Sequence, residues 1–85
     1  MKLSIEYCSV WNYLPKASSL EAELKKSLPT IEISLISSGG GVFEVVLDEK
    51  LIFSKKALNR FPEKGEILNI INNQWFLVYF ANQVQ

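Results

Sequence analysis

Leu3, Ile5 and Tyr7 alternate with Ser4 and Glu6, the two-residue period of a strand with one buried face. A loop holding Cys8 follows, and Asn12 is placed to cap a helix with Pro15 in its first turn, where a missing N–H costs nothing. Ala17, Leu20, Leu24 and Leu28 recur at helical spacing, with Glu21, Glu23, Lys25 and Lys26 off that stripe, and Pro29 stops the helix. Ile31, Ile33 and Leu35 alternate with Glu32 and Ser34 as a second strand. Ser37 to Gly41 reads as a loop and Val42 to Leu47 as a third strand with Phe43, Val45 and Leu47 on one face. Asp48-Glu49-Lys50 turns into Leu51-Ile52-Phe53, so the third and fourth strands form a hairpin. Lys55 to Phe61 shows no period and reads as a connection, and Pro62 reads as the first residue of a final helix. Ile67, Ile70, Ile71, Trp75 and Val78 fall on one face of that helix, with Phe76 and Phe80 on the other.

The order is β-α-β-β-β-α. A strand, a crossover helix and a strand of these lengths imply a parallel pair with a right-handed connection. The expected class is α/β, an α+β two-layer sandwich: a four-stranded mixed sheet with both helices on one face, as a single domain over residues 1–85. This is the minimal layout of thioredoxin-like domains, in which a thiol loop follows the first strand.

Composition narrows the chemistry. Nine basic residues balance nine acidic ones, which implies no nucleic-acid or anionic-membrane partner. The seven apolar residues from Trp75 to Ala81 are too few to span a membrane. The start, Met1 to Glu6, has no apolar signal core, and cytoplasmic residence is the expectation. The single cysteine cannot form an internal disulfide. With no histidine, a Ser-His or Cys-His nucleophile pair is impossible, no metal site is expected, and any chemistry belongs to the thiol.

Cys8 lies where a strand gives way to a helix, a position at which backbone N–H groups and the helix dipole favour a thiolate. Against this reactive reading stands the inert one, a buried cysteine acting as a small hydrophobe. Reactivity requires partial exposure, so a sulfur sealed inside the apolar layer would end the redox reading.

Four separated segments carry a pattern: Tyr7-Cys8-x-x-Trp11-x-Tyr13-x-Pro15-Lys16-Ala17, Gly41-Val42-Phe43-Glu44-Val45, Phe53-Ser54-Lys55-Lys56 and Arg60-Phe61-Pro62-Glu63. In this order they resemble the Rdx family, which contains selenoproteins W, T and H and bacterial cysteine homologues. The resemblance runs from about Leu3 to Ile71. It implies a thioredoxin-like fold and thiol redox activity linked to glutathione through a C-x-x-C or C-x-x-selenocysteine motif. Cys8 matches the first motif position and Trp11 occupies the second. The implied activity is therefore monothiol, with Cys8 as redox thiol, Trp11 as a non-redox neighbour, and glutathione as co-substrate in place of a cofactor. Whether the chain is an enzyme stays open, a weak monothiol oxidoreductase being the candidate.

Ser9, Val10 and Gly41 complete the candidate substrate-binding set. The resemblance places Gly41 near the thiol, where a small residue would let another backbone approach. Lys55, Lys56 and Arg60 form a small basic cluster, read first as solvated surface and second as an attraction for glutathione carboxylates. The expected partner is glutathione or a thiol-containing protein, with a homo-oligomer through Phe76 and Phe80 as a further expectation. The competing reading is a non-catalytic binding module that uses Phe76, Phe80 and the open polar face of the sheet.

Overall fold

A computed structural model describes residues 1–73. The elements are β1 (Lys2–Cys8), α1 (Leu14–Ser27), β2 (Glu32–Ser38), β3 (Phe43–Leu47), β4 (Lys50–Ser54), α2 (Lys55–Leu58) and α3 (Glu66–Asn73). The sheet order is β2-β1-β3-β4. The β1–β2 pair is parallel and the other two pairs are antiparallel. This is the mixed four-stranded sheet that the β-α-β-β-β-α pattern implies.

Alternation decides which face is covered. Leu3 and Ile5 of β1 and Phe43, Val45 and Leu47 of β3 are buried and share one apolar cluster with Ala17, Leu20 and Leu24 of α1. Ile67, Ile70 and Ile71 of α3 join the same cluster, so α1 and α3 cover the same face. Burying a side chain such as Leu24 contributes about 1.5–3 kcal/mol. Ser4, Glu6, Ser34, Ile36, Glu44 and Val46 occupy the alternate positions and face away from the helices. Trp75, Val78, Phe76 and Phe80 lie outside the described residues.

β4 departs from simple alternation because Ile52 and Phe53 are both buried. The register shifts between Val45 and Val46, pairing Phe53 with Val45 and Leu51 with Val46, so Ile52 is the extra residue of a bulge. The hairpin beyond it is closed by Asp48 and Glu49, at φ 46° and 72°, the positive-φ pair that suits the twist of two strands joined by two residues.

Several boundaries differ from the sequence reading. Cys8 is the last residue of β1 rather than a loop residue. Asn12 does not cap α1: it sits in the left-handed region at φ 59°, and Tyr13 occupies the cap position with no side-chain bond. The stretch after β4 contains a helical turn, α2, because Ser54 Oγ accepts the Ala57 N–H at 3.2 Å. The last helix starts at Glu66, not Pro62. Arg60 grips Glu66 through Nη1–Oε1 at 2.7 Å and Nη2–Oε2 at 2.8 Å, and Glu66 Oε1 also accepts the Glu63 N–H. The carboxylate that favours the helix start is thus tied back to the preceding loop, and Gly65 N–H reaches Glu23 Oε2 on α1 at 3.0 Å.

Candidate functional site

The C-terminal ends of β1, β2 and β4 and the first residue of β3 meet at one end of the sheet, since Cys8 pairs with Ser38, Tyr7 with Phe43 and Glu44 with Ser54. Residues 9–13 carry the chain from that end into α1 as a doubly tied loop. Asn12 N–H donates to Ser9 O at 3.1 Å, and Tyr13 N–H donates to Cys8 O at 3.0 Å. Ser9 is pinned to Ser38 O by its N–H at 3.0 Å and its hydroxyl at 3.3 Å. These ties aim the Trp11 N–H at the Cys8 sulfur, which accepts it at 3.4 Å. The donor on Sγ therefore comes from the loop, at the second motif position, and not from α1.

The sulfur is not open to solvent. Cys8 is 0% exposed, although partial exposure is what a reactive thiol needs. Nor is it part of the apolar layer: Cys8 lies outside the single core cluster, on the strand phase of Glu6 and Ser38 that faces away from the helices. Its N–H donates to Val42 O at 2.9 Å. The Trp11 indole lies against the neighbouring Gly41, where a Cβ would stand 2.5 Å from Cζ3. Gly41 also has φ 72°, so a side chain there would meet the indole and strain the backbone. The expectation at Gly41 is the approach of another backbone; in the structure the Trp11 ring occupies that space. Cys8 is thus buried beneath a short loop with a polar contact on its sulfur.

The structure brings Cys8, Ser9, Trp11 and Gly41 together. Val10 turns outward at 80% exposure, beside Trp11 at 61% and Leu14 at 43%. Arg60 leaves the expected basic cluster for its pair with Glu66 and its stacking on Phe53, with its guanidinium 5.4 Å from the ring centroid.

A chain of aromatic edges is the feature that periodicity did not reveal. Trp11 meets Tyr13 at 6.1 Å, Tyr13 meets Phe61 at 4.8 Å and Phe61 meets Phe43 at 5.3 Å between centroids. Lys16 Nζ stands 5.0 Å from the Phe61 centroid, and Lys55 Nζ stands 5.6 Å from Tyr13 and 5.4 Å from Phe61. The signal that could have found it was the four-segment pattern, which contains Tyr13, Lys16, Phe43, Lys55 and Phe61.

The model of the Rdx family matches residues 2–73. The chain belongs to the Rdx family. Migration and invasion enhancer 1 of Bos taurus is 28% identical over 71 residues, covering 84% of this chain and 62% of that protein. The Mus musculus protein of the same name is 30% identical over 67 residues, covering 79% and 58%. The chain thus spans about three fifths of the length of these curated relatives. A selenoprotein W-related protein from Vibrio cholerae has a crystal structure that matches at a TM-score of 0.81 and 24% identity, over 86% of this chain and 94% of that one. A crystal structure from Bordetella parapertussis matches at 0.81 and 21%, over 86% and 95%. The Rdx chain therefore has the thioredoxin-like α+β fold of the selenoprotein W-related structures. Among its described residues, no helix is long and apolar enough to cross a membrane, and no three of His, Cys, Asp and Glu cluster to hold a metal ion.

Proposed function

We propose that this Rdx protein is a monothiol redox protein working through Cys8, with glutathione as the external thiol. The observation that carries the reading is the Trp11 N–H held 3.4 Å from the Cys8 sulfur at the junction of β1 and the loop to α1. A backbone donor aimed at sulfur stabilises developing thiolate charge. In the forward step the Cys8 thiolate attacks one sulfur of glutathione disulfide. The old S–S bond breaks, a Cys8–glutathione disulfide forms and a glutathione thiolate leaves. The chain has no second cysteine, so a further glutathione thiolate attacks the glutathione sulfur of the adduct and restores Cys8. Ser9 and Trp11 belong to the loop that must swing to admit the reagent, and Gly41 is the seat that Trp11 leaves. Thiol-containing proteins are the corresponding macromolecular partners, and the cytosol, where glutathione is reducing, is the matching compartment.

The second reading, a binding module, is favoured by one observation: a sealed thiol beside the exposed Val10, Trp11 and Leu14. Mass spectrometry after incubation with oxidised glutathione at neutral pH separates the two, with Cys8→Ser as control. A stoichiometric adduct confined to the wild type supports the redox reading, and an unmodified thiol replaces it with the binding module.

A further inference from the structure

The nine carboxylates of this neutral chain are unevenly placed. None occurs in residues 7–20, 33–43 or 50–62, and these stretches supply the strand ends and loops around Cys8. Of the flanking acids, Glu6 and Glu44 lie on the face of the sheet opposite the helices, and Glu23 and Glu63 line the groove that holds Lys16. Glu6 and Glu44 pair across the open face of the sheet, and Glu44 Oε1 accepts the Ser54 hydroxyl at 2.7 Å.

Three cations remain at the thiol end. Lys16 and Lys55 stand over Phe61 and Tyr13, while Lys56 Nζ lies 3.7 Å from where a Cβ of Gly40 would be. None of the three forms an ion pair among the described residues. The geometry joins them to the loop, because Tyr13 abuts Trp11 and Trp11 rests on Gly41, next to Gly40. Trp11 is exposed, as are Val10 and Leu14 near it in the chain. Exposed apolar side chains and three lysines without an ion pair among the described residues, all from stretches that contain no carboxylate, complement one kind of surface.

We infer that this end docks an acidic segment of a partner protein, with its carboxylates on Lys16, Lys55 and Lys56 and an apolar side chain against Val10, Trp11 and Leu14. This rests on the reading of Cys8 as the working thiol only for its consequence, that the protein thiols reaching Cys8 are those flanked by Asp or Glu. In that exchange the Cys8 thiolate attacks the sulfur of a partner cysteine held in a disulfide. The new Cys8–partner S–S bond forms as the old one breaks, and the displaced thiolate carries the electron pair away.

Docking is tested without the thiol, by fluorescence anisotropy of labelled cysteine-free peptides on the Cys8→Ser protein. One peptide flanks an apolar centre with Asp and Glu, and its counterpart carries Lys and Arg. At low salt the acidic peptide should bind at least ~10-fold more tightly, and the gap should close to within about 2-fold at about 0.5 M salt as charges are screened. Combined Lys16→Gln, Lys55→Gln and Lys56→Gln should erase the preference, as should Lys55→Gln with Lys56→Gln if the triple variant is unstable. Lys2→Gln with Lys25→Gln, beside Asp48 and Glu49 at the hairpin end, should retain it. Equal affinity for both peptides, no binding of either, or equal loss in the Lys2/Lys25 control overturns the inference. So does binding only to vesicles of anionic phospholipid. A disulfide-activated cysteine version of the acidic peptide then reports on wild-type Cys8. Docking without adduct formation leaves the acidic surface standing and removes the redox function.

Discussion

The two ends of the sheet close their loops with the same backbone device and use it differently. At the hairpin end, Asp48 and Glu49 are left-handed, and Asp48 holds Lys2 through its Oδ1 at 2.9 Å and its own N–H at 2.8 Å. At the thiol end, Asn12 is left-handed, and the turn it closes aims Trp11 N–H at sulfur. A non-glycine residue in that region costs roughly 1–3 kcal/mol. In the hairpin the strain is offset by a turn that matches strand twist and by two bonds that lock β1. In the thiol loop its product is a donor on Cys8. The charges differ as well: Lys2 mixes with Glu32, Asp48 and Glu49 at the hairpin end, while the stretches around the thiol contain no carboxylate. One end stabilises the fold, and the other seals the Cys8 sulfur.

Substitutions sharpen this contrast. The largest effect on stability belongs to the core that both ends share: Leu24→Ala should cost about 2–5 kcal/mol in denaturant unfolding. Gly41→Ala comes next, since it places a Cβ against the Trp11 ring at a positive φ. A loss of roughly 1–3 kcal/mol is expected, together with faster Cys8 modification by an aromatic disulfide reagent. Adding Trp11→Ala to it should relieve the clash and leave the backbone strain. Asp48→Ala should cost about 1–2 kcal/mol and leave the rate of Cys8 modification unchanged; a changed rate would break the division of labour between the ends. The smallest effect is Glu49→Gly, which relieves a left-handed residue and should raise stability by about 1 kcal/mol in the same unfolding assay. Trp11→Ala alone tests the lid: Cys8 modification should accelerate about 10-fold, equivalent to about 1.4 kcal/mol less opening free energy. An unchanged rate would mean that the indole does not hold the loop closed. Trp11→Cys should form a disulfide with Cys8 in the folded protein, detected by mass, and failure to bridge would tell against the motif assignment.

Much of the fold was legible because alternation is a local signal. Leu3, Ile5, Phe43, Val45 and Leu47 point inward because every second residue of a strand must. Leu20 and Leu24, or Ile67, Ile70 and Ile71, share a helix face for the corresponding reason. The misses lie where a single side-chain bond overrides the pattern. Ser54 starts α2 inside an aperiodic stretch, and the Arg60–Glu66 pair sets the start of α3 beyond Pro62. Asn12 has cap chemistry yet adopts the left-handed turn that the Ser9 and Cys8 carbonyls close. The bulge at Ile52 has no local signature, since a surplus residue is defined only against the partner strand.

The amino-acid order alone determined the strand and helix faces, the four-segment family pattern, the lack of a second thiol and the acid-free stretches, because each depends on residue type and spacing along the chain. Only the tertiary structure decided that the Cys8 sulfur is sealed, that Trp11 seats on Gly41, and that Lys16 and Lys55 stand over Tyr13 and Phe61. Burial and charge placement arise from segments dozens of residues apart meeting at one end of a sheet, and no local rule carries that information.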